Sequence, residues 1–160
     1  MSANARPVRY FEDYPAGSRF EGGPIVVDAA EIVAFATRYD PQTFHVDPEA
    51  ARGSFFGGLI ASGWHTAALT MRLLVENYLS EESSLGSPGI DELRWIKPVR
   101  PGDALSVRVV VDGARRSRSR PDRGLVRSSI EVRNQRGETV MTFKAMSLIG
   151  LRNPDAGAAD

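Results

Sequence analysis

The chain has no cysteine among its 160 residues, and this absence excludes disulfides, thiolate metal sites and cysteine nucleophiles. Histidine is scarce as well: the chain has 2, whereas zinc in proteins usually takes three or four side-chain ligands. Long hydrophobic runs are also missing, and none approaches the roughly eighteen residues that a membrane span needs. We therefore expect neither a metal site nor a membrane span.

An excess of charge of one sign is absent too. The 20 basic and 20 acidic side chains cancel, which argues against nucleic acid or a membrane surface as a partner. The length predicts one domain, which we place at residues 10–151 between flexible tails at 1–9 and 152–160. The first tail has arginines but no apolar stretch of a secretory signal. Together with the missing cysteine, this favours a cytoplasmic protein.

The first half of the sequence carries start and stop signals for two helices. Asp28 is a favourable N-cap with Glu31 three residues later, so the pair predicts a capping box and a helix that ends before Pro41. Asp47 followed by Pro48 predicts one further helical turn.

Ser62 predicts the start of a long helix that runs to about Leu79. Only two charges, Arg72 and Glu76, interrupt it, so we expect most of its circumference to be buried, with His65 in the core. Apolar residues recur along it at helical spacing: Ala67, Ala68, Met71, Leu74, Val75 and Tyr78.

Strand patterns occupy most of the second half. The glycines and proline at 22–24 should break the early β region in two, and the turn sequences at 101–103 and 135–138 predict two hairpins. The expected strands are 18–20, 25–27, 89–99, 104–112, 125–134 and 139–151. This order predicts an α+β fold in which an antiparallel sheet curls around the long helix.

Asp40 and His45 are the candidate catalytic residues. They lie five residues apart, and the prolines at 41 and 48 should place Asp40 at a helix end and His45 in a loop beyond it. A carboxylate and an imidazole together can exchange protons near neutral pH. From these residues alone, the alternative is an aspartate that caps its own loop beside a surface or core histidine. Gly63, at the predicted helix start, offers a backbone N–H to a developing negative charge.

The order of these motifs resembles a known family. Asp40, His45 and Asp47-Pro48, then the run 56–63 (FGGLIASG), then 93–103 (LRWIKPVRPGD) and 119–124 (SRPDRG), resemble the MaoC-like dehydratases, the (R)-specific enoyl-CoA hydratase group of the hotdog fold. The resemblance covers about residues 10–150 and implies a single hotdog domain, with a curled antiparallel sheet wrapped around a long central helix.

The resemblance also implies an activity: reversible hydration of trans-2-enoyl-CoA, or dehydration of (R)-3-hydroxyacyl-CoA. Asp40 and His45 would hold and activate the water, and the N–H of Gly63 would polarise the thioester carbonyl. The implied substrate-binding residues are Phe55, Phe56, Gly57, Ser62 and Trp64. Coenzyme A would enter as part of the acyl-CoA substrate, with no separate cofactor. The fold also pairs in its relatives, so we expect a homodimer or a dimer-based oligomer.

Three positions depart from the family pattern. Gln42 and Thr43 stand where asparagine and proline are common, and Met71 stands where one branch of the family has a serine. Glutamine can hydrogen-bond as asparagine does, whereas the missing proline leaves the loop less rigid.

Other interpretations stay open at this stage. A hotdog thioesterase would use Asp40 to direct water at the carbonyl carbon, and would leave His45 without a role. A non-catalytic acyl-binding subunit would keep the fold without needing the pair. The five arginines at 115–123 suit the phosphates of coenzyme A, but also suit a solvated loop or a salt bridge to a neighbouring subunit.

Overall fold

The computed structural model of the chain describes residues 6–157, and an antiparallel sheet is its largest element. Its five strands lie in the order β1-β3-β4-β5-β2, so β1 and β2 form the two edges. The strands are β1 (Arg19–Val26), β2 (Gly89–Trp95), β3 (Ala104–Arg116), β4 (Arg123–Arg133) and β5 (Thr139–Gly150). Every neighbouring pair is antiparallel.

Four α-helices connect β1 to β2. They are α1 (Ala29–Tyr39), α2 (Thr43–Val46), α3 (Pro48–Arg52) and α4 (Gly63–Asn77), with 3-10 turns at Phe11–Asp13 and Pro154–Gly157. Within the described part of the chain, none of these helices is long and apolar enough to cross a membrane.

The core lies between α4 and one face of the sheet. Leu105, Val107, Val109 and Val111 alternate along β3 and are buried, as the period of two in the sequence predicted. They belong to one hydrophobic cluster with residues of α4 that include Leu69, Leu73 and Leu74. The predicted α+β architecture, with a curled antiparallel sheet around the long helix, is therefore confirmed.

The predicted helix caps are confirmed at three positions. The Asp28 carboxylate accepts from Ala30 N and Glu31 N, and Asp47 accepts from the backbone at the start of α3. Ser62 Oγ accepts from Trp64 N at the start of α4. The capping box at Asp28 is one-sided, because Glu31 forms no return bond within residues 6–157.

Three predictions on local structure were wrong. The glycines and proline at 22–24 do not break β1, which passes through them with a shift in register against β3. Proline lacks an N–H, but an edge strand with a bulge tolerates it.

His45 is on the one-turn helix α2 rather than in a loop, since a single turn fits between the two prolines. The turn at 101–103 closes no hairpin, because β2 pairs with β5 and not with β3.

The prediction that α4 is buried around most of its circumference was also wrong for this chain. Its buried side chains form one face, while Trp64, Met71 and Val75 are exposed. Residues 6–157 of the same chain do not cover the exposed face that these three apolar side chains form.

The predicted tails lie partly outside the description, since residues 1–5 and 158–160 are not among the described residues. Of the remainder, Arg9 donates to the Asn77 carbonyl and its own carbonyl accepts from Ser83 Oγ. Arg152 contacts the carboxylate of Asp13.

Candidate active site

Asp40 and His45 meet because the chain reverses between α1 and α2. Asp40 follows the last residue of α1 and closes it with an N–H bond to the Ala36 carbonyl at 2.8 Å. After Pro41 the backbone begins α2, which carries His45 back towards the carboxylate. Asp40 Oδ2 and His45 Nε2 are 3.3 Å apart. The structure thus brings together the two residues that the spacing singled out.

The orientation of His45 is fixed by its other ring nitrogen. Nδ1 lies 2.8 Å from the carbonyl oxygen of Ile60. A carbonyl oxygen can only accept, so Nδ1 carries a proton and Nε2 is left to exchange a proton on the Asp40 side. The residue is 5% exposed, and its ring packs edge-to-face with the Phe44 ring. His45 therefore presents a single nitrogen to the site.

The Asp40 carboxylate accepts one hydrogen bond at each oxygen. Gln42 Nε2 donates to Oδ1 and Ser62 Oγ donates to Oδ2, both at 2.7 Å. Burial by itself would raise the pKa of Asp40, but the bonds from Gln42 and Ser62 and the nearby His45 outweigh it, so the pKa lies below its ordinary value. Asp40 is accordingly an ionised carboxylate at neutral pH.

Gly63 is the first residue of α4, and its N–H is directed out of the helix start. Nothing in the described chain accepts a hydrogen bond from this N–H. It therefore offers both a free donor and the positive end of the helix dipole. Trp95 of β2 covers the same residue, since Trp95 Nε1 donates to the Gly63 carbonyl at 2.9 Å. A Cβ on Gly63 would lie 2.4 Å from Trp95 Cε2, so a side chain there would require Trp95 or the helix start to shift.

One pocket joins these groups. It has a volume of about 530 Å³, a size typical of small-molecule sites. Its lining includes Asp40, His45, Gly63, Phe55, Phe56 and Trp64 from the predicted set. The lining also includes residues that were not among those predicted to contact substrate: Gln42, Phe44, Ile60, Ala61, Thr66 and Trp95 to Val99.

The missed segment, 95–99, is the end of β2 and the loop that follows it. Its place beside the pocket depends on the pairing of β2 with β5 and on the bond from Ala61 N to the Val99 carbonyl at 2.8 Å. The only sequence signal was its inclusion in the family-like run 93–103.

Two of the predicted substrate-binding residues lie off the pocket wall. Ser62 is fully buried behind it, and Gly57 forms a turn with a positive φ of 67°. Arg100 holds this turn from outside, because its guanidinium donates to the Phe56 carbonyl at 2.7 Å. Phe55 lines the pocket mouth with its side chain almost wholly exposed.

A second, apolar cavity of about 230 Å³ lies further along α4. Gly63 and Thr66 line the first pocket, while Ala67 and Met71, the next turns of the same helix, line the second. Its other walls include Leu93 of β2 and Phe143 of β5.

The arginine-rich segment 115–123 lies far from the pocket within one chain. It spans the turn between β3 and β4, whereas the pocket adjoins the opposite end of β3, just after Val99. β3 has 13 residues, and at about 3.3 Å per residue a fully extended strand of this length spans at most roughly 40 Å. The loop and the pocket thus adjoin opposite ends of β3.

Comparison with known proteins gives the family. The family model of the MaoC-like domain matches residues 14–133, and the chain belongs to this family. A crystal structure described as a MaoC-like dehydratase, from Rhodospirillum rubrum, has 46% identity and a TM-score of 0.84 over 91% of this chain and 99% of that one. Nodulation protein N of Rhizobium meliloti is 36% identical over 69% of this chain and 71% of its own length.

A more distant structure shares the fold. The (R)-hydratase from A. caviae has 24% identity and a TM-score of 0.69 over 88% of this chain and 98% of its own. The predicted hotdog architecture and the predicted MaoC-like dehydratase family are confirmed.

Proposed function

We propose that the protein catalyses the reversible hydration of a trans-2-enoyl-CoA to the (R)-3-hydroxyacyl-CoA. The observation that carries this proposal is the 3.3 Å approach of Asp40 Oδ2 to His45 Nε2, in a pocket that Gly63 also lines with an unused N–H. Membership of the MaoC-like family supports the same reaction class.

Hydration joins a water oxygen to C3 of the acyl group and a proton to C2. In the proposed step, water is held between Asp40 and His45, with a proton of the water directed at one of the two. As the oxygen bonds C3, that proton passes to the pair, and the electrons of the double bond move towards the thioester. C2 then receives a proton from the pair, so the enzyme ends the cycle in its starting state.

The thioester oxygen carries the negative charge that develops between these two proton transfers. The N–H of Gly63 is the donor proposed for it, because a helix start supplies a fixed dipole without any rearrangement. Removal of a single such donor costs about 3–4 kcal/mol in other enzymes. Gly63 is thus proposed to act through its backbone alone.

The acyl chain is proposed to extend from the pocket into the apolar cavity beneath α4. Supporting this placement, the two cavities follow successive turns of the same helix. In this cavity the acyl chain would displace water from apolar side chains such as Leu74, Leu93 and Phe143. A thioesterase has no matching support, because His45 would then lack a role.

The test is the fate of crotonyl-CoA and of a longer trans-2-enoyl-CoA with the purified protein. The proposal expects loss of the enoyl-thioester absorbance without release of thiol, and chiral chromatography of the product should give the (R)-3-hydroxyacyl group. Thiol release would assign a thioesterase instead. If both substrates remain unchanged, the enoyl-CoA hydratase assignment is rejected.

We also propose that two copies of the chain associate through the β2 edge. Support comes from the exposed apolar side chains that β2 and the loop after it share with α4: Ile90, Trp95, Ile96, Trp64, Met71 and Val75. An unpaired strand edge beside an apolar helix face is a surface that proteins usually cover.

A further inference from the structure

Ser62 lies directly behind the candidate site without reaching the pocket. Its side chain is fully buried and makes two hydrogen bonds. Its Oγ accepts from Trp64 N at 3.2 Å and donates to Asp40 Oδ2 at 2.7 Å. The direction of the second bond is fixed, because an ionised carboxylate can only accept.

Helix capping accounts for only half of this arrangement. A cap uses the lone pairs of the side-chain oxygen, as Trp64 N does here. It makes no use of the hydroxyl proton, which in this structure points at a carboxylate 22 positions earlier in the chain. Because Ser62 immediately precedes Gly63, one side chain touches both the Asp40 carboxylate and the start of the helix.

We propose that Ser62 is a positioning residue that holds the Asp40 carboxylate, with Oδ2 towards His45 Nε2, in a fixed relation to the N-terminus of α4. Its effect on rate rests on the proposed hydratase function. Gln42 holds Oδ1 from within the same loop, whereas Ser62 is the contact that ties Oδ2 to α4. Without the Ser62 hydroxyl, the carboxylate is free to rotate away from Nε2.

The test separates capping from positioning by the choice of variants. Glycine is nearly as good an N-cap as serine, so Ser62→Gly removes the hydroxyl at little cost to the helix. Ser62→Thr keeps the hydroxyl and is the rescue variant. The matched control is Asp28→Gly, which weakens the cap of α1 but has no contact with Asp40.

Three quantities are measured for each variant: kcat and KM with crotonyl-CoA, Tm, and the titration of Asp40 followed by NMR of ¹³C-labelled aspartate, assigned with Asp40→Asn. We expect Ser62→Gly to lower kcat about ten-fold, as loss of a hydrogen bond to a charged group implies. KM should change little, and the pKa of Asp40 should rise. Ser62→Thr should recover most of both. Asp28→Gly, like Ser62→Gly, should change Tm little, but it should leave kcat and the pKa of Asp40 at their parent values.

Parent values of kcat and of the Asp40 pKa in Ser62→Gly would overturn the proposal. So would a loss of rate that follows Tm equally in Ser62→Gly and Asp28→Gly. The titration also separates this inference from the proposed function. If the parent hydrates no enoyl-CoA, the hydratase assignment fails, whereas a raised Asp40 pKa in Ser62→Gly would still uphold the positioning role.

Discussion

Asp40 is the residue on which the candidate site converges, and its partners show what the sequence could and could not reveal. The spacing of Asp40 and His45, together with the family resemblance, predicted that these two residues act as a pair. The bond from Gln42 to Asp40 was not predicted, although the two residues are only two positions apart. The Ser62 contact spans 22 positions and exists only once α4 packs beside α1. No local rule predicts such a contact, and for this reason Ser62 entered the sequence analysis as a cap and a substrate contact only.

Gln42 illustrates a substitution whose consequence is visible in one bond. It stands where asparagine is common in the family, and its longer amide still donates to Asp40 Oδ1 at 2.7 Å. Thr43, in place of a proline, is the first residue of α2. The one-turn helix thus forms without a proline at its first position.

His65 is a second histidine with a different environment. It is buried between α4 and α1, stacked on Phe35 with ring centres 4.9 Å apart, and its Nδ1 has no hydrogen-bond partner in the described chain. Burial lowers its pKa below the ordinary 6.5, and Glu31 opposes this only in part. His65 is thus a neutral core residue, as the sequence analysis expected.

The stability of the protein should depend on His65 as the pH falls. The pKa of His65 is lower in the folded than in the unfolded chain, so the unfolded chain takes up the proton first as the pH falls. The free energy of unfolding should therefore decrease as the pH drops below about 6.5. Urea unfolding at pH 7.5 and 5.5 should show this loss in the parent, and a smaller loss in His65→Gln. Equal losses in the two proteins would contradict the account. The carboxylates with lowered pKa, Glu131 and Glu138 among them, titrate below this window.

The start of α4 is the element on which the oxyanion proposal depends. Gly63 is held against the Trp95 indole so closely that a methyl group has no room. The packing of α4 against Trp95 of β2 thus sets the position of the free N–H. That packing leaves no room for a side chain at position 63 unless Trp95 or the helix start moves.

Gly63→Ala should therefore impair the reaction without unfolding the protein. The added methyl must displace Trp95 or the helix start, and a misplacement of about 1 Å can cost roughly 100-fold in rate. We expect kcat to fall by at least about ten-fold, together with a shift in tryptophan fluorescence. The matched control is Gly53→Ala, whose methyl would lie 3.7 Å from the nearest atom, an ordinary contact. A Gly63→Ala protein as active as Gly53→Ala would refute the role of this helix start.

The strands were predicted less well where tertiary structure overrides local preference. Gly23 has a φ of 111°, so the chain turns there as the composition suggested, yet β1 continues. The sheet partner β3 supplies hydrogen bonds on both sides of the irregularity. The strictly alternating β3 left no such ambiguity, because its period of two and its burial agree.

Within residues 6–157, β2 and α4 together form an apolar surface that the chain leaves uncovered. The sequence predicted a buried α4 from its lack of charge, and the single chain does not bury it. A lack of charged residues indicates that a helix surface is buried, but it does not indicate whether the same chain or a second chain buries it. In the proposed dimer, the second copy would cover the exposed apolar side chains of α4, in agreement with the lack of charge along this helix.

A substitution at the β2 edge tests the dimer. Ile90 is 47% exposed on β2, and Ile90→Lys would place a charge in the proposed interface. Light scattering after size-exclusion chromatography should give twice the 17.5 kDa chain mass for the parent and a lower mass for the variant. Val26→Lys is the control, since Val26 is exposed on β1, the opposite edge. Dissociation by Val26→Lys alone would place the interface at β1.

The most direct test of the account is the rate of enoyl-CoA hydration by Asp40→Asn, His45→Ala and the double variant. Each single change should lower kcat about 10²–10⁴-fold, the usual contribution of a positioned acid or base. The double variant should be about as slow as the slower single one, because the two groups act as a unit. Asp47→Asn is the matched control: it makes the same change nearby, and asparagine still caps α3. Parent-like rates in Asp40→Asn and His45→Ala would contradict the central claim.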